Sequence, residues 1–290
     1  LFLFSASFFI RAPTLLDILV NLSPLEIFLI KSEITIKNFL CSYLLNLIIM
    51  YFFMKILLFI ITYKASYRIK KVINEIPFKF FKKYNYKILI SDDFSNDNTK
   101  KYIQSIKKKH KKISINFNSK NIGYGANIKK CMSYAYKNNY RYAAMIHGDN
   151  QYSPKYLDKM FSKIIKTKCI SVTGSRMKIK KDAIKGGMPL YKFLGNIVLT
   201  KIFNLFYSTN FSDCHTGYWI YDLKKIKKKW LNKFDNGFLF DLDMRTKLVK
   251  EKCEIKEIPI QTRYGSERSS IHLNYAIGFF LKTLIGKFKD

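Results

Sequence analysis

The chain has 290 residues, enough to bury one sizeable domain or two smaller ones. Its 52 Lys and Arg against 20 Asp and Glu leave a formal charge of +32, yet 48% of residues are hydrophobic and 16% are aromatic. That apolar share excludes a disordered basic tail, 12 Gly and 6 Pro exclude a collagen-like chain, and five scattered Cys without a C-x-x-C pair argue against a disulfide framework or zinc ribbon. A reducing compartment suits such cysteines better. Seven Arg leave 45 Lys, beside abundant Ile, Asn, Phe and Tyr, all with A/T-rich codons. The skew therefore reads as compositional bias before it reads as a polyanion partner, because phosphate-reading surfaces favour the Arg fork. Acidic membrane surfaces remain an electrostatic partner.

In chain order, residues 1–53 form a hydrophobic N-terminal extension. Up to position 55 four basic residues (Arg11, Lys31, Lys37, Lys55) meet three acidic ones (Asp17, Glu26, Glu33), so nearly all the positive balance lies beyond. Phe39 to Met54 is apolar apart from Asn46 and a few small polar residues. As a helix it would rise about 24 Å, short of the roughly 30 Å hydrocarbon core. Two readings stand: a marginal membrane segment holding the basic remainder on the cytoplasmic side, or non-native sequence ahead of a gene start at Met54. No basic residues precede Leu1–Ile10, which disfavours a secretory signal.

From Met54 the pattern predicts strands at Ile56–Thr62, Tyr86–Ser91, Ile113–Asn118, Tyr140–Ile146 and Cys169–Thr173. Helical stretches fall between them at Tyr67–Ile76, Asp97–Lys109, Ala126–Asn138 and Pro154–Lys166. Apolar strands alternating with helices predict a doubly wound α/β sheet, whose ligands sit beyond the carboxyl ends of the strands. Carboxylates are scarce here, yet Asp92, Asp93 and Asp149 each follow a strand end. Capping the following helix would account for one of Asp92 and Asp93, and turn chemistry is an alternative for Asp149. His147, Asp149 and Gln151 alternate along an extended segment, which puts them on one side and suits a divalent cation. His147 either binds that metal or hydrogen-bonds nearby.

Taken together, ITYKAS, SDDFSNDNT, NIGYGANI, HGDNQYSP, TGSR and DCHTGYWIYD resemble, in order and spacing, the glycosyltransferase family 2 pattern. The dolichol-phosphate mannosyltransferase-like branch is its nearest form. The resemblance covers residues 54–270 and implies a GT-A fold: a Rossmann-like, mostly parallel sheet flanked by helices, with an acidic motif holding Mg²⁺ or Mn²⁺ on the donor diphosphate. Thr62 and Tyr63 match the start of the donor-binding P-x-Y-N-E loop, although Ile61, Lys64 and Ala65 replace its Pro, Asn and Glu. Asp92 and Asp93 match the nucleoside-contacting D-D-G-S motif, with Phe94 in place of Gly. Gly123, Gly125, Ala126 and Asn127 match a glycine-bearing helix start, where free amides would favour an anion. His147, Asp149 and Gln151 fall on the D-x-D-x-Q metal motif, with His at the first acidic position and Asp149 the firmest ligand.

Asp213 matches an acidic position near the acceptor, where it could act as general base toward a hydroxyl. A phosphate acceptor is already anionic and needs cations instead, a task that suits Arg176, Arg263 and Arg268. One of Asp241 and Asp243 is expected to line the site. Residues 186–210 and the basic stretch 271–290 read as amphipathic helices that could lie at a membrane interface. The resemblance implies an inverting transferase that moves a sugar from a UDP- or GDP-sugar to a membrane-associated acceptor. A polyprenyl phosphate comes first, and a saccharide hydroxyl of a cell-surface polymer second. Such an enzyme would be peripheral or weakly anchored at the cytoplasmic face of the membrane, with no nucleic-acid partner. The rivals are a basic nucleic-acid-binding protein, for which the three strand-end carboxylates would be dispensable, and an inactive membrane-associated scaffold.

Overall fold

Strand β1 (Lys55–Thr62) reads K-I-L-L-F-I-I-T, and every residue after Lys55 is buried. An unbroken apolar run of this kind suits a strand covered on both faces, and β1 sits inside a seven-stranded sheet of order β3-β2-β1-β4-β6-β5-β7. The computed structural model describes Ser32, Lys37, residues 54–264 and Leu273–Phe288. By its contacts the chain divides into two units, Leu1–Phe53 and Met54–Asp290.

In the second unit β1 is followed by helices α1 (Arg68–Asn74) and α2 (Phe78–Phe81), then β2 (Asn85–Asp92), α3 (Thr99–Lys109) and β3 (Ile113–Phe117). Helix α4 (Tyr124–Lys137) leads to β4 (Tyr142–His147), a short 3₁₀ turn at Pro154–Tyr156 and α5 (Leu157–Thr167). Beyond lie β5 (Ser171–Ser175), α6 (Lys180–Lys185), α7 (Leu190–Tyr207), β6 (Trp219–Asp222), α8 (Phe240–Lys250), β7 (Ile255–Pro259) and α9 (Leu273–Phe288). The five strands expected from apolar runs are β1 to β5, within two residues at each end. Two more complete the sheet. β6 runs antiparallel to both β4 and β5, while β7 is parallel to β5.

Strands β2 and β4 flank β1, both parallel to it. Chain order therefore reverses between β1 and β4, which opens a crevice at their carboxyl ends. The register aligns Thr62 with Asp92 and Ile61 with His147, so three site candidates reach the same edge. Beneath that edge Leu57, Phe59, Met145, Trp219 and Phe240 join one buried cluster. Helix α7 packs on α9 through Phe203 and Phe279, whose ring centroids are 6.4 Å apart. Each helix also leaves an apolar stripe outside: Leu190, Leu194, Val198 and Leu205 on α7, and Ile277, Leu281, Ile285 and Phe288 on α9. At 3.6 residues per turn each set falls within an arc of about 80°. Among the described residues no helix is long and apolar enough to cross a membrane.

Candidate active site

The crevice is built by extending the strand ladder past its last residues. Asp93 donates its backbone N–H to Thr62 O (2.9 Å), and Gly148 donates its own to Ile61 O (2.9 Å). A Cβ at Gly148 would stand 2.7 Å from the Thr62 side chain, so the ends of β1 and β4 approach this closely only with glycine there. Thr62 is buried and its hydroxyl has no hydrogen-bond partner among the described residues, whereas Tyr63 is exposed.

The two aspartates after β2 do different things. Asp92 accepts hydrogen bonds from the Ser95 amide (2.9 Å) and hydroxyl (2.6 Å), closing a tight turn over the crevice. Burial pushes the Asp92 carboxyl up from its ordinary range, against the lowering effect of those bonds. Within the turn Phe94 takes a φ of 64°, a left-handed conformation that glycine adopts without cost. That accounts for the glycine expected at this position, and it leaves the Phe94 ring exposed. Asp93 instead turns toward α4: its two oxygens accept from the amides of Ile122 and Gly123, each at 2.9 Å.

The helix start thus already holds an anion, the carboxylate of Asp93. Its glycines serve a close approach of a different kind from the one expected. A Cβ at Gly125 would stand 2.3 Å from Asp235 O, and one at Gly123 2.7 Å from Asn236 O. It is the chain's own 235–237 backbone that presses on them. Asn127 is buried, accepting from the Ser91 hydroxyl (2.6 Å) and donating to Ser91 O (3.1 Å), so it ties α4 to β2.

At the end of β4 Asp149 is exposed, and its Oδ1 accepts from the Gln151 amide (2.9 Å). Asn150 between them has a φ of 63°, which bends the segment out of the extended form that would align all three candidate ligands. His147 hydrogen-bonds: its Nε2 lies 3.0 Å from Gly217 O and 3.3 Å from the Tyr124 hydroxyl. Burial lowers its pKa, keeping the ring neutral. Among the described residues no three His, Cys, Asp or Glu side chains converge as a ready-made metal cage.

On the other side of the crevice Arg176, after β5, grips Asp213 with both arms of its fork: Nε to Oδ2 at 2.7 Å and Nη2 to Oδ1 at 2.8 Å. Asn196 Nδ2 (2.9 Å) and the His215 amide (3.0 Å) also donate to Oδ1. Burial alone would raise the Asp213 carboxyl, but the Arg176 charge and these bonds hold it far below the carboxylate range. This geometry corrects the expectation of a general base: Asp213 is fully buried and its oxygens are taken up by donors. The pair instead fixes β5 to the segment entering β6.

Asp241 and Asp243 are separated by their partners. Asp243 Oδ2 accepts from Lys282 Nζ (2.7 Å) and the Asp235 amide (2.6 Å), a structural role. Asp241 Oδ2 accepts from the Tyr124 hydroxyl (2.8 Å), while its Oδ1 has no partner among the described residues. Burial pushes this carboxyl up to about 7, against the lowering effect of the Tyr124 bond. Asp241 is therefore the one turned toward Tyr124 and His147. Arg263 pairs with Glu75 (2.8 Å) and donates to Asn150 Oδ1 (3.1 Å), bracing the Asp149 loop. Arg268 lies outside the described residues. Sequence reasoning passed over Tyr124, Asn196 and Arg245, whose Nη2 donates to Asp213 O (3.2 Å). An Asn buried in the apolar α7 was a signal for Asn196, and an Arg one turn after Asp241 was a signal for Arg245, while nothing singled out Tyr124.

A model of Glycosyl transferase family 2 matches residues 58–230. Over 190 residues the chain is 30% identical to an uncharacterized protein of Methanocaldococcus jannaschii, covering 63% of this chain and 79% of that one. It is 28% identical over 240 residues to the UDP-N-acetylglucosamine–dolichyl-phosphate N-acetylglucosaminyltransferase of Methanococcus voltae, covering 77% of this chain and 92% of the relative. Among solved structures, glucosyl-3-phosphoglycerate synthase from Mycobacterium tuberculosis in complex with uridine diphosphate aligns with a TM-score of 0.58 at 10% identity, over 81% of each chain. The same enzyme with Mn²⁺, uridine diphosphate and glucosyl-3-phosphoglycerate aligns at 0.55 and 10% identity, over 80% of this chain and 79% of that one. At such identity the likeness is one of fold, and it is the GT-A fold. The chain is a glycosyltransferase and belongs to glycosyl transferase family 2.

Proposed function

We propose that this protein is an inverting transferase that moves a sugar from a uridine-diphosphate donor to a polyprenyl phosphate at a membrane surface. One observation carries the reading: Thr62 and Asp92 pair at the carboxyl ends of β1 and β2, and Asp149 follows the end of β4, the other neighbour of β1, at the switch point where an α/β fold binds its ligand. The name of the Methanococcus voltae relative supports uridine over guanosine and a lipid phosphate over a sugar hydroxyl. The cytoplasmic face suits a peripheral protein with exposed apolar stripes on α7 and α9 and a charge of +32.

The donor set at Asp149 fits Mg²⁺ or Mn²⁺ in a limited way. A single exposed carboxylate is enough when the substrate's own diphosphate supplies further oxygens, as is common for Mg²⁺. Asp149 would hold the ion, with Gln151 beside it. When bound, the ion supplies positive charge against the departing diphosphate. The chain's residues do the rest. Asp92, fixed by Ser95, stands at the nucleoside end. Asp93 clamps the start of α4, and the buried Arg176–Asp213 pair holds the acceptor side in place. An acceptor oxygen attacks the anomeric carbon opposite the leaving diphosphate, and a phosphate oxygen needs no base for this.

A second reading, transfer to a saccharide hydroxyl, rests on Asp241. Its unpartnered Oδ1 and raised pKa suit a group that accepts a proton near neutrality. Asp241→Asn separates the two: it abolishes transfer to a hydroxyl and spares transfer to a phosphate. The donor site is tested by calorimetric titration of UDP and GDP with and without Mn²⁺, beside Asp149→Ala. The expected result is metal-dependent UDP binding that the variant loses. Folded protein that binds neither nucleotide would end the proposal.

A further inference from the structure

Beside the Asp149 loop a cleft of about 250 Å³ opens between residues 153–155, 182–186 and 261–263. Its walls are preformed. Gly186 lies so close to the third segment that a Cβ would stand 2.2 Å from Thr262 O, and Tyr264 N donates to Gly186 O (2.8 Å). Tyr152 pairs with Thr262 as an antiparallel bridge, and Arg263 N donates to Gln151 O (3.1 Å). One wall is thus hydrogen-bonded to the loop that carries Asp149.

Three cations, Lys155, Lys185 and Arg263, line the cleft against one carboxylate, Asp182. Arg263 is balanced by Glu75, and Asp182 accepts from Gln261 Nε2 (3.4 Å). Lys155 and Lys185 are exposed at the rim, and neither has a carboxylate within salt-bridge distance among the described residues. Thr262 is 3% exposed, and its hydroxyl has no hydrogen-bond partner among the described residues. A buried, unpartnered hydroxyl carries a desolvation cost that a bound acceptor or donor removes. Two ammonium groups at the rim of a preformed cleft, against the single lining carboxylate of Asp182, suit an anion.

We infer that this cleft binds a phosphate monoester, the reacting head of the acceptor, an inference that rests on the function proposed above. Through Arg263 and Asn150 an occupant would be tied to the loop of Asp149, which places acceptor and donor phosphates on neighbouring segments. A lipid head group and a free phosphorylated metabolite share this chemistry.

The test is calorimetry on the full chain with three probes: a short-chain prenyl monophosphate, glycerol 3-phosphate and inorganic phosphate. Wild type is compared with Lys155→Glu/Lys185→Glu and with Thr262→Val, and UDP with Mn²⁺ is titrated separately. The expected result is saturable binding of prenyl monophosphate, weakened about tenfold or more in the double variant and less in Thr262→Val. UDP binding should stay within about twofold, which also reports that the variants are folded. Equal competition by glycerol 3-phosphate would support the cleft and identify its ligand as any phosphate monoester, and preference for the prenyl compound would support it with a lipid source. Prenyl monophosphate binding unchanged in the double variant would overturn the inference, as would wild type that binds UDP but no phosphate probe. Wild type that binds phosphate but not UDP would sustain the cleft while ending the donor-site proposal.

Discussion

Asp213 and Asp241 are both buried carboxylates, and their partners give them opposite chemistry. Asp213 is ionised and bound to a buried guanidinium, so removing its charge strands Arg176. Breaking such a pair from one side costs roughly 3–5 kcal/mol. Asp213→Asn should lower stability by about that amount in urea unfolding, whereas an unchanged midpoint would contradict the pairing. Asp241 behaves the other way. Its folded-state pKa is raised to about 7, against an unfolded value near 3.9. Between the two the folded state holds more protons, so this group's contribution to stability is full below about pH 4 and is lost as pH rises through 7. Asp241→Asn removes that slope and should be more stable than wild type at pH 8, by on the order of 2–4 kcal/mol. Unfolding curves at pH 5 and pH 8 check this, and an equal wild-type pH slope in the variant would contradict it.

At the scale of elements, the contact between α4 and the 235–237 segment joins the start of α4 to the approach of α8. Gly125→Ala would force a Cβ to within 2.3 Å of Asp235 O. The expected cost is about 1–3 kcal/mol of overpacking, with weaker UDP binding because Asp93 and Ile122 move together. Thermal unfolding and nucleotide titration of that variant read the two effects. Strands β1 to β5 were legible because each is an apolar run between turn residues. β6 was not, with only four residues, nor was β7, whose I-K-E-I-P mixes charges with a proline. The strand-end carboxylates were legible for a related reason: in an α/β sheet their place in the chain fixes their place at the edge. What each carboxylate does was not legible, because Asp93 finds Gly123 and Asp213 finds Arg176 only across 30 and 37 residues of chain. The departure at Phe94 likewise became intelligible only through its backbone angle.

For the whole molecule, the basic surface and the exposed stripes of α7 and α9 make one prediction together. The protein should float with vesicles containing acidic lipid, less so at high salt and much less after Leu194→Glu/Val198→Glu. Both residues are more than half exposed, so the substitutions should leave folding intact. Binding that ignores both salt and the double variant would contradict a membrane role for α7. The proposed function joins this surface to the crevice: a sugar would leave a uridine diphosphate held at Asp149 and arrive on a lipid phosphate. Its most direct measurement is transfer of label from UDP-N-acetylglucosamine to a short-chain prenyl monophosphate in the presence of Mn²⁺. The account predicts an organic-extractable labelled product from wild type that falls about 100-fold or more in Asp149→Ala. Equal product from the variant, or none from wild type that binds UDP and the prenyl phosphate, would contradict it.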